Sequence, residues 1–150
     1  MSHADPPADD RRIRAVGTFR YGPTNKDGST ARRDGGTTEW WLIIDCDPEL
    51  GRFLRHLFMV GVYRTVKPQA PLWGTHISVT RGERPPVFAY WKKYDGQPVE
   101  FEYDPAARLT DGYLWVPVTC EAALDHRAEL GLPREPSLAL HLTFGNLKGE

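Results

Sequence analysis

Residues 75–80 read THISVT and residues 138–144 read LALHLTF. Side chains alternate across a β-strand, so residues two apart share a face. In the first stretch this predicts His76, Ser78 and Thr80 on one face, with Ile77 and Val79 on the other. In the second, His141 and Thr143 share one face, and Leu138, Leu140, Leu142 and Phe144 share the opposite, apolar one. Each strand is predicted to pack its apolar side into a core and to offer an imidazole and a hydroxyl on the other.

The flanking sequence places these strands in a fold. Thr38 to Asp45 (TEWWLIID) predicts a strand. After Pro48, the residues Leu50, Phe53, Leu54, Leu57 and Phe58 recur at helical spacing, which predicts a helix over 48–59. Short strands are predicted over 13–21 and 60–66. Residues 87–94, the pair Asp95-Gly96 and residues 98–103 read as a hairpin with a DG turn. Tyr113 to Thr119 predicts a strand, and Glu121 to Leu130 a helix closed by Gly131 and Pro133. The order predicts an α+β fold with mostly antiparallel pairing. A weak two-fold echo runs through it: WWLIIDCD, a helix and WGTHISVT, then YLWVPVTC, a helix and LALHLTFG.

The chain has 150 residues, enough for one domain, expected over 12–150 behind an unstructured tail of residues 1–11. Residues 22–36 are glycine-rich and polar and read as a mobile loop. The formal net charge is −1, which argues against a bulk polyanion such as a long duplex as partner. No apolar run approaches the length of a membrane span, and the polar N-terminus does not read as a signal peptide. The two cysteines, Cys46 and Cys120, form no CxxC pattern, so a reduced, cytoplasmic setting is expected.

Two imidazoles, each with a hydroxyl two residues on, suit phosphodiester chemistry. One neutral histidine can take the proton of an attacking oxygen, and one protonated histidine can supply the departing oxygen. The hydroxyls of Ser78 and Thr143 can bond the non-bridging oxygens. No metal or cofactor is needed. A zinc site from His76, His141, Cys46 and Cys120 is not expected, because alternation sends both cysteines to the core faces. Alternation also turns Trp41 (with Ile43 and Asp45) and Trp115 (with Tyr113 and Pro117) to the histidine side, where nucleobases could stack on the indoles. Trp73, Tyr21, Arg81, Lys92 and Lys93 are further candidates for ligand contact. His56 and His126 are expected on helix surfaces, at most half-buried, and His3 in the tail.

The two motifs, THISVT and LHLTFG, resemble the paired H-x-[ST] signatures of the 2H phosphoesterase superfamily. That superfamily includes RNA ligase-like cyclic phosphodiesterases and phage enzymes that destroy cyclic oligonucleotide signals (anti-CBASS nucleases). The resemblance implies a bilobal α+β fold, with two antiparallel sheets around a central cleft and helices on the outer faces. It implies His76 and His141 as the acid/base pair, with Ser78 and Thr143 as phosphate binders. The substrate class implied is a small nucleotide or cyclic oligonucleotide. RNA 2′,3′-cyclic phosphate ends, or sequestration of a nucleotide without catalysis, are the alternatives.

Overall fold

The computed structural model describes residues 12–24, 29, 36–61, 67–71 and 73–147. The predicted tail, most of the predicted loop and residues 62–66 of the predicted 60–66 strand lie outside the described residues, while residues 60 and 61 continue the helix that precedes them instead of starting a strand. Among the described residues, seven strands and two α-helices follow in the order β1 (Ile13–Tyr21), β2 (Trp41–Asp45), α1 (Pro48–Gly61), β3 (His76–Arg81), β4 (Pro98–Tyr103), β5 (Arg108–Thr110), β6 (Tyr113–Thr119), α2 (Glu121–Glu129) and β7 (His141–Asn146). The fold is α+β, and every strand pairing is antiparallel.

The strands run β4-β1-β2-β3-β7-β6-β5, and β4 also pairs with β6. This closes β1, β2, β3, β7, β6 and β4 into a six-stranded barrel, with β5 added on β6. The expectation was two sheets; the β3–β7 and β4–β6 ladders join them into one, which leaves few open edges. Phe19, Leu42, Ile44, Ile77, Val79, Phe101, Leu114, Val116, Leu142 and Phe144 form a continuous core with Leu54 and Phe58 of α1 and Ala123 and Leu124 of α2. The histidine strands therefore turn His76 and His141 away from that core.

Both helices start and stop for local reasons. Asp47 Oδ1 accepts the Glu49 N–H at 2.9 Å, capping α1 one residue before Pro48. α2 ends in a Schellman motif: Gly131, at φ 85, donates to Ala128 O and Leu132 donates to Arg127 O. On α1 only Gly51, Leu54 and Phe58 are buried, while Phe53 and Leu57 stay exposed.

The 87–103 hairpin does not form. Phe88–Tyr90 make a 3-10 turn, residues 91–96 are turns, and β4 pairs with β1 and β6 instead. The aromatic side chains of that segment explain the difference. Trp91 packs edge-on against Tyr21 and Trp40, and Tyr94 lies against Phe19 and His126. Those rings are drawn onto the molecule rather than alternating along a strand.

The sequence echo is a structural pseudo-two-fold. The units β2-α1-β3 and β6-α2-β7 are related about the β3–β7 seam, and they match in detail. In the first, Asp45, Ile44 and Ile43 pair with His76, Ile77 and Ser78, and then the register shifts so that Leu42 pairs with Thr80. In the second, Pro117, Val116 and Trp115 pair with His141, Leu142 and Thr143, and then Leu114 pairs with Gly145. Each histidine strand thus carries one extra residue, Val79 or Phe144, directly after its hydroxyl residue. Such a bulge turns the residues beyond it. Strict alternation placed Thr80 beside His76 and Ser78; the bulge instead buries Thr80, whose Oγ1 donates to Trp40 O at 2.8 Å, and turns Arg81 outward.

Close approach of α1 to the start of β3 depends on Gly51. A Cβ there would stand 1.9 Å from Thr75 Oγ1. Gly51→Ala raises helix propensity by about 1 kcal/mol but creates that overlap, which costs about 1–3 kcal/mol. The variant is expected to be less stable by about 1 kcal/mol in chemical denaturation; an increase in stability would show that the helix can move away freely.

Candidate active site

The β3–β7 ladder sets His76 across from Thr143 and Ile77 across from Leu142. Continued by one residue, the same register sets Ser78 across from His141. The two imidazoles are then diagonal neighbours on one face, with Cβ atoms roughly 7–8 Å apart or a little less. Each is flanked by its own motif's hydroxyl and faces the other's. His76, Ser78, His141 and Thr143, separated by more than sixty residues of sequence, form one cluster.

The two histidines are held in the same way. His76 Nδ1 lies 2.7 Å from Gly74 O, and His141 Nδ1 lies 2.8 Å from Ala139 O, in each case the carbonyl two residues earlier. A carbonyl only accepts, so Nδ1 carries the hydrogen and the neutral ring keeps its lone pair on Nε2. Each ring also rests against an indole. The Trp73–His76 centroids are 5.6 Å apart, and those of Trp115 and His141 are 5.4 Å apart. Among the described residues neither Nε2 makes a hydrogen bond.

The surroundings of the two rings differ. His76 is buried, 9% exposed, beneath an aromatic corner in which Trp73 meets Trp41 edge-on at 5.2 Å. Trp41 is on the predicted face, and the Arg81 guanidinium lies 5.2 Å above its ring. His141 is half-buried, and Trp115 spans it with Nε1 donating to Thr110 Oγ1 at 3.1 Å. Burial pushes the His76 pKa down to about 4, with the charges of His141 and Arg81 adding to the effect. Burial also lowers that of His141, again with Arg81 contributing. Trp73, Trp115 and Arg81 are therefore gathered round the histidines, whereas Trp41, only 4% exposed between Trp73 and Arg81, supports that corner and offers no face for the expected base stacking.

Tyr21 and Lys92 are not. Tyr21 pairs with Leu42 and faces the core side of the sheet. Its hydroxyl is 2.7 Å from His126 Nε2, His126 Nδ1 is 2.9 Å from Glu129 Oε1, and Lys93 Nζ donates to Glu129 Oε2 at 2.6 Å. This chain also overturns the surface placement of His126, which is 2% exposed. Hydrogen-bond partners on both ring nitrogens make that burial tolerable. Lys92 and Lys93 belong to the turn that packs over Tyr21 and Phe19, on the opposite side of the sheet from His76 and His141. His56 is exposed on α1, and Cys46 and Cys120 are buried on the core side, as expected. No helix among the described residues is long and apolar enough to cross a membrane.

The histidines make a prediction about stability. The folded pKa of His76 lies below the ordinary value of 6.5, so the unfolded chain binds more protons between pH 6.5 and about 4. The stability contributed by the neutral ring is complete above pH 6.5 and is lost as pH falls towards 4, by about 3 kcal/mol for this group. His141 and His126 are lowered in the same direction and add to the slope. Denaturation at pH 7 and pH 4.5 is expected to show this loss, and His76→Asn to reduce it. An equal acid loss in wild type and variant would remove His76 as a source.

No family model, curated protein or solved structure matches this chain.

Proposed function

We propose that the protein is a metal-independent phosphodiesterase of the 2H type that opens a cyclic oligonucleotide by two-histidine acid/base catalysis. The observation that supports it is the matched pair of His-x-Ser/Thr motifs meeting across the β3–β7 seam, each imidazole pinned through Nδ1 with Nε2 as its acceptor. In this reading β1-β2-α1-β3 and β5-β6-α2-β7 act as two lobes, and the site lies on their shared seam. Trp73 on one side, backed by the buried Trp41, and Trp115 on the other, are stacking platforms for the bases that flank the scissile phosphate.

His76, the more buried imidazole, is neutral at physiological pH and takes the proton of the attacking oxygen. For a 3′,5′ linkage the 2′-hydroxyl attacks phosphorus: the O2′–P bond forms, its proton passes to one Nε2, and the P–O5′ bond breaks. The departing O5′ takes a proton from His141. The Ser78 and Thr143 hydroxyls stabilise the non-bridging oxygens as charge builds on them, while Arg81 attracts the phosphate's standing charge equally before and during the reaction. The product is a linear chain ending in a 2′,3′-cyclic phosphate. No water is consumed, so it is an isomer of the substrate.

The activity test incubates the protein with cyclic di- and trinucleotides and with RNA ending in a 2′,3′-cyclic phosphate. Chromatography with mass spectrometry should find a linear product of unchanged mass from the cyclic substrates. Conversion of the RNA ends alone, with the mass of one water gained, would favour end processing. Recovery of intact ligand from a tight complex would favour sequestration and overturn the enzymatic reading.

His76→Ala and His141→Ala are each expected to lower kcat by about 10²–10⁴-fold while the fold is kept. Ser78→Ala and Thr143→Val should each cost about 100-fold. Chelators should have no effect. Because both imidazole pKa values are lowered, kcat/KM is expected to be bell-shaped with its maximum on the acid side of neutrality, above about pH 4 and below 6.5. A plateau extending above pH 8 would exclude the pair as acid and base.

A further inference from the structure

A bulged residue leaves its carbonyl outside the regular ladder, and in a buried strand that oxygen needs a donor. Both histidine strands meet this need alike, and across the pseudo-two-fold. Arg55 of α1 donates through Nη1 to Phe144 O at 2.7 Å, the bulge of the other half. Its stem lies over Gly145, where a Cβ would stand 3.2 Å from Arg55 Cγ and Cδ. Arg127 of α2 donates through Nη1 to Val79 O at 2.9 Å, the bulge of the first half.

The β3 side carries an added device. Arg127 is 1% exposed and makes a two-pronged pair with Glu83, Nη1 to Oε1 at 2.8 Å and Nη2 to Oε2 at 3.0 Å. Its Nε donates to Pro133 O at 2.9 Å. Glu83 Oε1 also accepts the backbone N–H of Arg81 at 3.2 Å. One guanidinium thus ties the bulged carbonyl, the acid after the strand and, through that acid, the backbone of Arg81.

We propose that Arg127 is a positioning residue that acts through the Val79 bulge and Glu83 to hold Arg81 on the histidine face as an anion anchor. Without the donor to Val79 O, β3 relaxes towards regular alternation, which turns Thr80 out and Arg81 away from the site. In its present place the Arg81 charge reaches both histidines and adds to the burial that holds their pKa values down. The counterpart position at the other bulge is Asn146, buried and donating to Ala70 O, so the anchor is one-sided. The ligand's phosphate is drawn towards the β3 side of the seam.

The inference deepens the reading of the site as a phosphodiesterase, but its first test does not need turnover. Imidazole titration by NMR on the full chain compares wild type, Arg81→Met, Arg127→Met and the double variant. Arg81→Met should raise the pKa values of His76 and His141, since a neighbouring positive charge is removed. Arg127→Met should raise both in the same direction, and the double variant should go no further than Arg81→Met alone. If Arg127→Met does not fold, Arg127→Lys, which keeps a charge near Glu83 but loses the separate donors to Val79 O and Pro133 O, is read in its place. Unchanged titration of both histidines in a folded Arg127 variant, with a shift in Arg81→Met, overturns the proposal. With a cyclic dinucleotide as substrate, Arg127→Met should raise KM about tenfold with kcat largely kept, as Arg81→Met does. A kcat loss with KM unchanged would overturn it. No turnover by wild type, with the titration pattern as expected, would refute the phosphodiesterase reading and leave the positioning role standing.

Discussion

The antiparallel seam between β3 and β7 is the contact on which the rest of the molecule depends. It is short, with His76 across from Thr143 and Ile77 across from Leu142. It nevertheless does two jobs at once. On one side Ile77 and Leu142 join the core that the two helices cover. On the other side it brings two distant motifs into one patch. A slip by one residue would exchange these faces, sending imidazoles into hydrocarbon and isoleucine to the surface. The large loss of apolar burial in that exchange specifies the register, and with it the site.

Holding polar rings against a barrel wall has a cost that the surroundings meet piece by piece. Each histidine is given one carbonyl and one indole, which satisfies Nδ1 and covers the ring without neutralising Nε2. The buried arginine of α2 is satisfied on every nitrogen, by Val79 O, Pro133 O and Glu83. Next to it, His126 links Tyr21 to Glu129 and Lys93, which ties α2 to the 91–96 turn. The helix that clamps β3 is therefore itself clamped from the opposite side. A buried arginine left without these acceptors would cost several kcal/mol, so its placement depends on that second attachment.

Much of this was legible in the sequence because it rests on a period of two. The apolar alternation of TEWWLIID, YLWVPVT and LALHLTF assigns Trp41, Trp115, His141 and Thr143 to the face opposite the core, and the strand register puts them there. What alternation cannot carry is a change of phase. The bulge at Val79 has no local signature, since valine is an ordinary strand residue, so alternation puts Thr80 on the histidine face and does not show the route that brings Arg81 there. The aromatic segment 88–94 misled for the opposite reason. Its rings and the following Asp-Gly look like hairpin chemistry, yet Trp91 and Tyr94 serve a cluster made by residues far away in sequence. His126 was misjudged likewise, because its burial depends on Tyr21, more than a hundred residues earlier.

The pseudo-two-fold also has a bearing on how two like imidazoles can take unlike surroundings in so small a space. Two identical copies of either half, joined about the same axis, would be obliged to give their imidazoles one common environment. A single chain is free of that obligation. Here Trp41 and Trp73 close over one ring, while the other stands half open beside Trp115, and Arg81 has no cationic counterpart at Asn146. Covalent linkage of the halves is what permits that inequality: the scaffold stays symmetric where it must carry load, and diverges only in what surrounds the two rings.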